Sequence, residues 1–546
     1  MALCYKYLIS RLESEAGTVP HRTFGWYGNM SLALRAVIIL TLTVALGGCA
    51  TRTVAPYVRP APEHAMPAQP DGAFAAIESA IRTESTPEVS GFRLIDRNED
   101  GLRWRLALID SARHSIDMQY YLWYGDAAGR IVAKRILDAA DRGVRVRLLI
   151  DDLNTLIKDA ATVSLRDEVA AWLDVHPNVE LRLFNPWSSR EIAGRVASSL
   201  KDMDGANQRM HNKALIVDNQ AAILGGRNIG DEYMGLSAEF NFHDLDVLGV
   251  GPVARQTSDI FDLYWNSDWV MPVSALEIPI SPAEQVSARE ELVELLNASE
   301  PLKQIPIPPQ TWSAELATLP GTLHIGTSQV YSDLPTAGAI DHIMLERILA
   351  MIEAAQSELL IVNAYIIPTD SGIAALHKLN GHGADIKILT NSLASHDVPA
   401  VNSHYKQWRK PIIEAGAELY EMRHDAEIQR LVCDTPPTRA EFAGLHSKAM
   451  VVDRTKVFIG SMNFDPRSAQ LNTEMGVFIE SRGLGEALAR LIERDVQPAN
   501  SWRVELHDDS NLRWVNDEET VTTQPARSWW QRVEDKIFRT IPKEYY

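Results

Sequence analysis

Apolar and polar positions alternate with two different periods along this chain, and the periods follow each other in the same order twice. In residues 106–152, apolar positions recur at helical spacing, then form a strand-like run, then return to helical spacing. The second helical stretch covers residues 129–142 and stops at Gly143, a residue type that often follows the last helical turn. The run VRVRLLI that comes next is typical of a buried strand.

Residues 348–392 repeat this order of helix, strand, helix and strand. Such units favour parallel strand pairing, so the pattern predicts an α/β fold built from two similar halves. We place the first half at residues 89–275 and the second at residues 326–546. The proline-containing stretch between them, residues 276–325, has no steady period and is predicted to be a connecting segment.

Residues 1–49 have the pattern of a secretion signal. A charge-free apolar run, residues 36–50, is shorter than the roughly 20 residues that a membrane-spanning helix needs. It ends in Leu-Gly-Gly-Cys, which resembles the bacterial lipobox, so Cys49 is the predicted lipidation site. An uncleaved signal anchor is the alternative. Met30 opens a tidier signal than Met1 does and is an alternative start.

Residues 50–88 are rich in proline and alanine and are predicted to form an extended tether. The mature protein is then expected in the cell envelope, anchored to a membrane on the periplasmic side. By the usual sorting pattern of lipoproteins, Ala50 after the cysteine favours the outer membrane, and the inner membrane is the alternative.

The chain has 546 residues and a net charge of −19. That length is compatible with two large domains. Proteins that grip nucleic acid are more often basic, so no nucleic-acid partner is expected. The cysteines are Cys4, Cys49 and Cys433. If Cys49 carries lipid, only Cys433 remains in the folded part, and the sequence offers neither an intramolecular disulfide nor a zinc-type Cys/His cluster.

One reactive set of residues occurs twice. The segments MHNKALIVDNQAAILGGRN, residues 210–228, and LHSKAMVVDRTKVFIGSMN, residues 445–463, align without gaps and share His, Lys, Ala, Val, Asp, Gly and Asn. A single copy has a plain alternative, a polar surface hairpin with a stabilising Lys–Asp pair. Two copies 235 residues apart argue against that alternative.

Strand geometry predicts how the first copy is arranged. His211 and Lys213 are two residues apart, so on a strand they share a face. Asp218 and the following Asn have turn chemistry, and Asn228 returns on the partner strand. The second copy predicts the same for the members that correspond, which are His446, Lys448, Asp453 and Asn463.

Two such sets suit phosphodiester chemistry. One histidine can attack phosphorus and form a covalent intermediate while the other moves protons. Lysine and asparagine side chains can hold the phosphate oxygens and stabilise the charge of the transition state. Because lysines supply the positive charge, no metal and no cofactor are expected.

The duplicated H-x-K-x4-D motif resembles the phospholipase D superfamily, over roughly residue 90 to the C-terminus. The stretches GGRNIGDEYMG, HDLDVLGVGPV and AYIIP, with residues 390–422, are most similar to bacterial cardiolipin synthases of the C type. The resemblance implies two similar halves, each a mixed β-sheet flanked by helices, related by a pseudo-twofold axis. It places the active site at the seam between them.

The resemblance also implies roles for the motif residues. His211 is the expected nucleophile, although the sequence does not settle which histidine attacks, and His446 is the expected proton donor and acceptor. Lys213, Lys448, Asn228 and Asn463 are expected to hold the phosphate. Asp218 and Asp453, the third residues of the two motifs, are expected mainly to hold the architecture.

An acidic residue downstream of each motif is expected to orient the motif histidine. Glu474 matches this position after the second motif. Asp244 is the better match after the first motif and therefore for His211, with Glu239 as the alternative by simple spacing. Ser461 stands at a family position in the second motif where the first motif has Gly226, so any serine role is one-sided.

The implied reaction is phosphatidyl transfer that makes cardiolipin, with phosphatidylglycerol as acceptor and phosphatidylglycerol or phosphatidylethanolamine as donor. The alternatives are a phospholipase D that uses water, a periplasmic nuclease and a non-catalytic lipid-binding protein. The expected partners are phospholipids and a membrane, and no obligate protein partner is inferable. Such synthases are usually found at the inner membrane, which disagrees with the sorting expected from Ala50.

The C-terminal residues combine aromatic and basic side chains, including Trp529, Trp530, Ile537 and Phe538. This composition suits a membrane interface, and it also suits a terminal helix that docks on the body of the protein. The sequence leaves both interpretations open.

Overall fold

The computed structural model describes residues 57, 59–82, 88–152, 163–187, 208–336, 339–507 and 511–539. The predicted signal, the lipobox with Cys49, and Ala50 lie outside these residues, so the predicted lipidation and sorting stay predictions. Within the described ranges, the structure has no helix that is both long and apolar enough to span a membrane.

The first half contains nine strands and the helices that flank them in the described residues. Its strands are β1 (Ser90–Ile95), β2 (Ser115–Tyr120), β3 (Arg145–Asp151), β4 (Val179–Phe184), β5 (Lys213–Val217), β6 (Ala221–Gly225), β7 (Phe240–His243), β8 (Asp246–Val250) and β9 (Val270–Pro272). Its helices are α1 (Ala75–Ile81), α2 (Asn98–Ser111), α3 (Ala127–Asp141), α4 (Val163–Asp174) and α5 (Pro252–Trp265).

The second half repeats this order after the connecting segment, whose helices are α6 (Pro282–Asn297) and α7 (Ser313–Thr318). Its strands are β10 (His324–Ser332), β11 (Leu334–Thr336), β12 (Ala339–Asp341), β13 (Glu358–Asn363), β14 (Asp385–Asn391), β15 (Glu418–Met422), β16 (Phe442–Leu445), β17 (Lys448–Val452), β18 (Lys456–Gly460), β19 (Met475–Glu480), β20 (Ser501–Leu506), β21 (Leu512–Val515) and β22 (Thr520–Val521). Its helices are α8 (Met344–Glu353), α9 (Asp370–Gly381), α10 (Pro399–Tyr405), α11 (Arg409–Glu414), α12 (Pro466–Gln470), α13 (Arg482–Asp495) and α14 (Trp529–Phe538).

Each half contains a mixed sheet, and the order of the strands is the same in both halves. In the first half β4, β3 and β2 are parallel neighbours, and β5, β6, β8 and β1 continue the sheet in antiparallel pairs. In the second half β15, β14 and β13 are parallel, and β17, β18, β19 and β10 continue it in the same way. The prediction of two similar α/β halves with mixed sheets is confirmed.

Two strand pairs join the halves. The edge strands β1 and β10 pair antiparallel, with Gly91 opposite Ile325, so the two sheets form one continuous sheet. An antiparallel pair of equivalent strands is the relation that a twofold axis between them requires. A second pair, β7 with β16, runs parallel and lies beside the motif histidines.

The two halves share an apolar core. One cluster of buried side chains takes Phe92, Val247 and Phe261 from the first half together with Val457 and Val477 from the second. The seam is therefore packed like a protein interior.

Two segments outside the repeated helix–strand units are packed on the first half. Residues 59–82 were expected to belong to an extended tether, which is wrong, because Phe74 is fully buried and α1 buries Ile77 and Ile81. The connecting segment holds α6, which Ser281 and Glu284 begin with reciprocal hydrogen bonds, so it is not irregular throughout. Among its residues Leu296 is the buried one, so the helix has little apolar period to reveal it in the sequence.

Candidate active site

The two motifs form two equivalent hairpins, β5–β6 and β17–β18. The turn of the first hairpin places both Asp218 and Asn219 in the left-handed region, with φ of 53°, and Asp453 and Arg454 in the second have φ of 50° and 52°. Turns with positive φ at both central residues match the twist of two-residue hairpins. The predicted hairpin corner at the motif aspartate is confirmed.

The motif aspartates lie at the turns and bind backbone of the neighbouring strand. The carboxylate of Asp218 accepts hydrogen bonds from the backbone N–H groups of Arg113, His114 and Ser115, where β2 begins. Asp453 accepts hydrogen bonds from the N–H groups of residues 356–358, where β13 begins, in the same way. These contacts fix each hairpin to its neighbouring strand, as an architectural role requires.

The motif histidines and lysines lie at the other end of the hairpins and are buried. His211 is 6% exposed and His446 is 5% exposed. The Nζ atom of Lys213 donates to the backbone carbonyl of His211 at 2.5 Å, and Lys448 donates to the carbonyl of His446. Each lysine is thus held against the histidine of its own motif.

The orienting acids are exchanged between the halves. Glu474 accepts from, or donates to, the Nδ1 atom of His211 at 2.8 Å, and Asp244 pairs with the Nδ1 atom of His446 at 2.6 Å. The expectation that each acid orients the histidine of its own half is wrong. Glu239, the alternative partner of His211, is exposed and makes neither contact.

The exchange follows from how the strands cross at the seam. β7 ends one residue before Asp244 and pairs in parallel with β16, which ends one residue before His446. On the other side of the site, the backbone of Thr473 exchanges hydrogen bonds with Arg209 and His211. Each acid is therefore delivered to the histidine of the opposite motif, a pairing that no local sequence pattern encodes.

The residue beside each acid differs between the halves. A Cβ atom on Gly226 would lie 2.1 Å from the carboxylate oxygen of Asp244, so this glycine makes room for the acid. At the equivalent position the hydroxyl of Ser461 donates to the carboxylate of Glu474 at 2.5 Å and accepts from the backbone N–H of Met475 at 3.0 Å. Ser461, whose role was expected in the second motif alone, therefore contacts the carboxylate of Glu474.

The two histidine–acid pairs also differ in charge. Burial, followed by the nearby Lys213 and Lys448, holds the pKa of His211 well below its usual value. Burial raises the pKa of its partner Glu474 to about 7. At neutral pH this pair contains a neutral imidazole and a partly protonated carboxyl group.

The second pair is held in a different state. Burial opposes ionisation of Asp244, but the adjacent His446 outweighs it and, with Lys448, holds the pKa of this carboxyl well below its usual range. Burial also lowers the pKa of His446, and the charge and hydrogen bond of Asp244 oppose that fall. Asp244 is therefore ionised and favours the protonated form of His446.

Burial lowers the pKa of both motif lysines, to about 7 for Lys213 and to about 8 for Lys448. The nearby charges of Glu474 and Asp244 oppose this fall in both lysines. Two buried cations are costly unless an anion joins them, so this end of the hairpins is suited to a phosphate group.

The motif asparagines follow β6 and β18 and are buried at equivalent positions. The Oδ1 atom of Asn228 accepts from the backbone N–H of Leu122 at 3.1 Å, which leaves the amide N–H groups as its remaining donors. The buried Oδ1 atom of Asn463 makes no hydrogen bond among the described residues. Both amides remain predicted phosphate ligands.

Sequence reasoning missed two residues of the site. Tyr233 meets the ring of His446 edge-on, with 5.2 Å between ring centroids. Arg467 on α12 is close enough to contribute to the lowered pKa of His211. Neither residue belongs to the repeated motif, so only the three-dimensional structure reveals them.

Two aromatic residues at the end of β2 divide between the core and the site. Tyr120 is buried and its hydroxyl accepts from Arg105 at 3.2 Å. Tyr121 meets the ring of His211 edge-on at 4.9 Å, and the Nζ atom of Lys213 lies 5.1 Å from its ring centroid.

Chemically, the site offers a neutral imidazole, an imidazole held next to an ionised carboxylate, and two buried lysines. That set can perform nucleophilic attack on phosphorus, proton transfer and charge stabilisation. Over the described ranges, the acidic, histidine and cysteine side chains form no group of three or more that could hold a metal ion.

Known proteins resemble this chain in both of its halves. A family profile described as cardiolipin synthase, phospholipase D-like domain, matches residues 106–265 and 348–496, one segment in each half. Cardiolipin synthase C of Escherichia coli is 36% identical over 472 residues, which cover 84% of this chain and 96% of the relative. An uncharacterized protein of Helicobacter pylori is 30% identical over 473 residues, which cover 85% of this chain and 91% of the relative.

A solved structure, phosphatidylserine synthase of Haemophilus influenzae, aligns over 77% of this chain and 90% of its own, with a TM-score of 0.49 and 13% identity. The family profile and the Escherichia coli relative together span both motif hairpins. The chain therefore belongs to the cardiolipin synthase, phospholipase D-like family.

Proposed function

We propose that this protein is a phosphatidyltransferase that makes cardiolipin from phosphatidylglycerol through a phosphatidyl-histidine intermediate. The observation that carries the proposal is the pair of crossed histidine–acid contacts, His211 with Glu474 and His446 with Asp244, in one buried site with two lysines. The 36% identity to cardiolipin synthase C of Escherichia coli supports the choice of substrate and product.

In the first step the Nε2 atom of His211 attacks the phosphorus of the donor lipid. The bond between phosphorus and the headgroup oxygen breaks, and His446 gives its proton to that leaving oxygen. Lys213 and Lys448 neutralise the charge on the phosphate oxygens while the bond between phosphorus and the headgroup oxygen breaks. The donor is phosphatidylglycerol or phosphatidylethanolamine, since each of them releases its headgroup as an alcohol.

In the second step a hydroxyl group of phosphatidylglycerol is the acceptor. His446, which has lost its proton, now removes the proton of this hydroxyl. The resulting oxygen attacks phosphorus, the bond from phosphorus to His211 breaks, and cardiolipin leaves. The same histidine serves as acid and then as base, so the enzyme returns to its starting state.

The difference between the two pairs supports His211 as the nucleophile. Attack needs a neutral imidazole, and burial and the lysines hold the pKa of His211 well below its usual value. A proton donor needs a partner that favours the protonated ring. Burial lowers the pKa of His446 as well, and the ionised Asp244 opposes that fall.

Hydrolysis by water is the second candidate, because the same intermediate serves both reactions. Burial of the two histidines, at 6% and 5% exposure, favours transfer, since bulk water reaches the intermediate poorly. We propose further that Cys49 carries lipid and holds the enzyme in the cell envelope, where membrane phospholipids are at hand.

Product analysis tests the function. Purified protein is incubated with vesicles of phosphatidylglycerol, with and without phosphatidylethanolamine labelled in its acyl chains, and the lipids are separated. Cardiolipin is the expected product, and label in cardiolipin identifies phosphatidylethanolamine as a donor. Phosphatidic acid without cardiolipin would identify a hydrolase.

The roles of the two histidines are tested with a donor whose leaving group is p-nitrophenol, which departs without a proton. His446→Ala should release about one p-nitrophenol per enzyme and then stop, while His211→Ala should release none. A stoichiometric burst from His211→Ala but not from His446→Ala would reverse the assignment.

A further inference from the structure

The C-terminal helix α14 has one docked side and one exposed side. Its docked side carries Gln531, Asp535 and Phe538, which are buried. Gln531 donates to the backbone carbonyl of Leu393 at 2.5 Å, and Asp535 accepts from Lys406 at 2.6 Å. The helix is therefore fixed on the second half, as one interpretation of the sequence predicted.

The exposed side carries large apolar side chains that the fold does not cover. Trp529 is 66% exposed, Trp530 60% and Ile537 53%. At 100° per residue, these three lie on the side of the helix opposite the docked residues. The two indole rings touch, with 4.9 Å between centroids, so they form one continuous apolar surface.

Basic side chains border this apolar surface. Arg532 and Lys536 are exposed on one edge of the same helix, and Arg539 is exposed directly after it. Of the two acids on the helix, Asp535 is buried and bonded to Lys406 and Asn402, and Glu534 is half-buried, so the fully exposed charges of the helix are basic. A basic exposed surface contrasts with the net charge of −19 of the whole chain, so it is suited to an anionic partner.

The segment that leads into this helix contacts the strand that precedes His446. The guanidinium of Arg527, two residues before the tryptophan pair, lies 3.5 Å from the ring centroid of Phe442. Phe442 begins β16, the strand that ends one residue before His446. A surface that holds α14 therefore also holds the segment next to β16, the strand that leads to His446.

From these observations we propose that the surface formed by Trp529, Trp530, Ile537, Arg532 and Lys536 docks on an anionic phospholipid bilayer. Tryptophan prefers the headgroup region, and lysine and arginine bind anionic headgroups there. The docked surface presents the active site to the lipid layer. The inference rests on the proposed function for its substrate, but the contact itself is measured without turnover.

The contact is tested by fluorescence quenching on full-length protein bound to phosphatidylglycerol vesicles with brominated acyl chains. Trp529→Phe/Trp530→Phe keeps the apolar surface but removes its fluorescence. We expect the bromine-quenched part of the emission to fall in this variant. A matched control, Trp312→Phe/Trp502→Phe, also loses two tryptophans and should keep the quenched part. Equal quenching in wild type and both variants would overturn the proposal.

Turnover gives the second test. Trp529→Ser/Trp530→Ser should lower the rate on phosphatidylglycerol vesicles by roughly tenfold or more and leave the rate on a soluble short-chain phosphatidylglycerol unchanged. Val286→Ser on α6, where the side chain is 57% exposed, is the control and should change neither rate. Equal loss on both substrates would mean that the helix supports the fold or the site, which overturns the proposal.

Two other results separate the alternatives. If wild-type protein turns over neither lipid but its tryptophans are quenched, the proposed function fails and the docking surface stands. If the surface instead pairs with a second copy of the chain, sedimentation shows a dimer that Trp529→Ser/Trp530→Ser dissociates and quenching is absent, which overturns the membrane assignment.

Discussion

At the scale of single residues, Asp244 and Glu474 show how surroundings give equivalent acids different states. The two acids occupy equivalent positions in the two halves. Asp244 lies two residues before Asp246, which pairs with Gly225, and Glu474 lies two residues before Gly476, which pairs with Gly460. Yet the pKa of Asp244 lies well below its usual range, because of His446 and Lys448, while burial raises that of Glu474 to about 7.

This difference predicts unequal effects of neutralising the two acids. Asp244→Asn should lower kcat by about 10²- to 10⁴-fold, since His446 loses the charge that favours its protonated form. Glu474→Gln should cost less at pH 6.5, where Glu474 is mostly protonated, and its cost should grow toward pH 8.5 as the wild-type carboxyl ionises. Steady-state rates across this pH range measure both effects, and equal losses at every pH would contradict the assignment.

The lysines predict an alkaline limit to activity. Their pKa values of about 7 for Lys213 and about 8 for Lys448 lie below the usual value, so their positive charge is present at lower pH and is lost as pH rises through this range. We expect kcat/KM, which reports the free enzyme, to fall as pH rises above about 7. The test is a pH profile on neutral-detergent micelles of phosphatidylglycerol, with circular dichroism at each pH as the control for folding. A flat profile to pH 10 would exclude this role of the lysines.

At the scale of elements, the two hairpins share a backbone and differ at one residue beside the acid. Gly226 leaves the space that Asp244 fills, and Ser461 adds a hydrogen bond to Glu474. The position of the Asp244 carboxylate therefore depends on the absence of a side chain at Gly226.

That arrangement predicts opposite tolerance at the two equivalent positions. Gly226→Ala puts a methyl group where the Asp244 carboxylate lies, so it should lower kcat about as far as Asp244→Asn does. Ser461→Ala fits the existing backbone and removes one hydrogen bond, so its loss should be about tenfold or less. Rates are compared after thermal melting confirms that both variants fold. A harmless Gly226→Ala would show that Asp244 does not need its observed position.

At the scale of the whole molecule, the sequence predicted the two repeated halves and missed the contacts that cross between them. The repeated motif and the helix–strand periods predict the two halves, the hairpins and the turn aspartates, because these features depend on residues near each other in the chain. The partner of His211 lies 263 residues away, and the exchange of Glu474 and Asp244 depends on how β7 and β16 pair. Local periodicity carries no information on that pairing.

The crossed contacts and shared core predict that the two halves unfold together. Side chains from both halves, such as Phe92 and Val477, pack in one cluster, and each histidine depends on the acid of the other half. Separating the halves would expose this apolar cluster and leave two buried acids without their histidine partners, which costs free energy in both halves.

We therefore expect one cooperative unfolding transition in urea, with coincident curves from far-ultraviolet circular dichroism and from fluorescent probes attached in each half. Val477→Ala should lower the midpoint for both probes equally, because its cavity lies in the shared cluster. Ile386→Ala, which lies in the cluster of the second half alone, should also lower the midpoint for both probes, because the two halves unfold together. Two separate transitions in wild type would mean that the halves are independent domains and that the seam contributes little to stability.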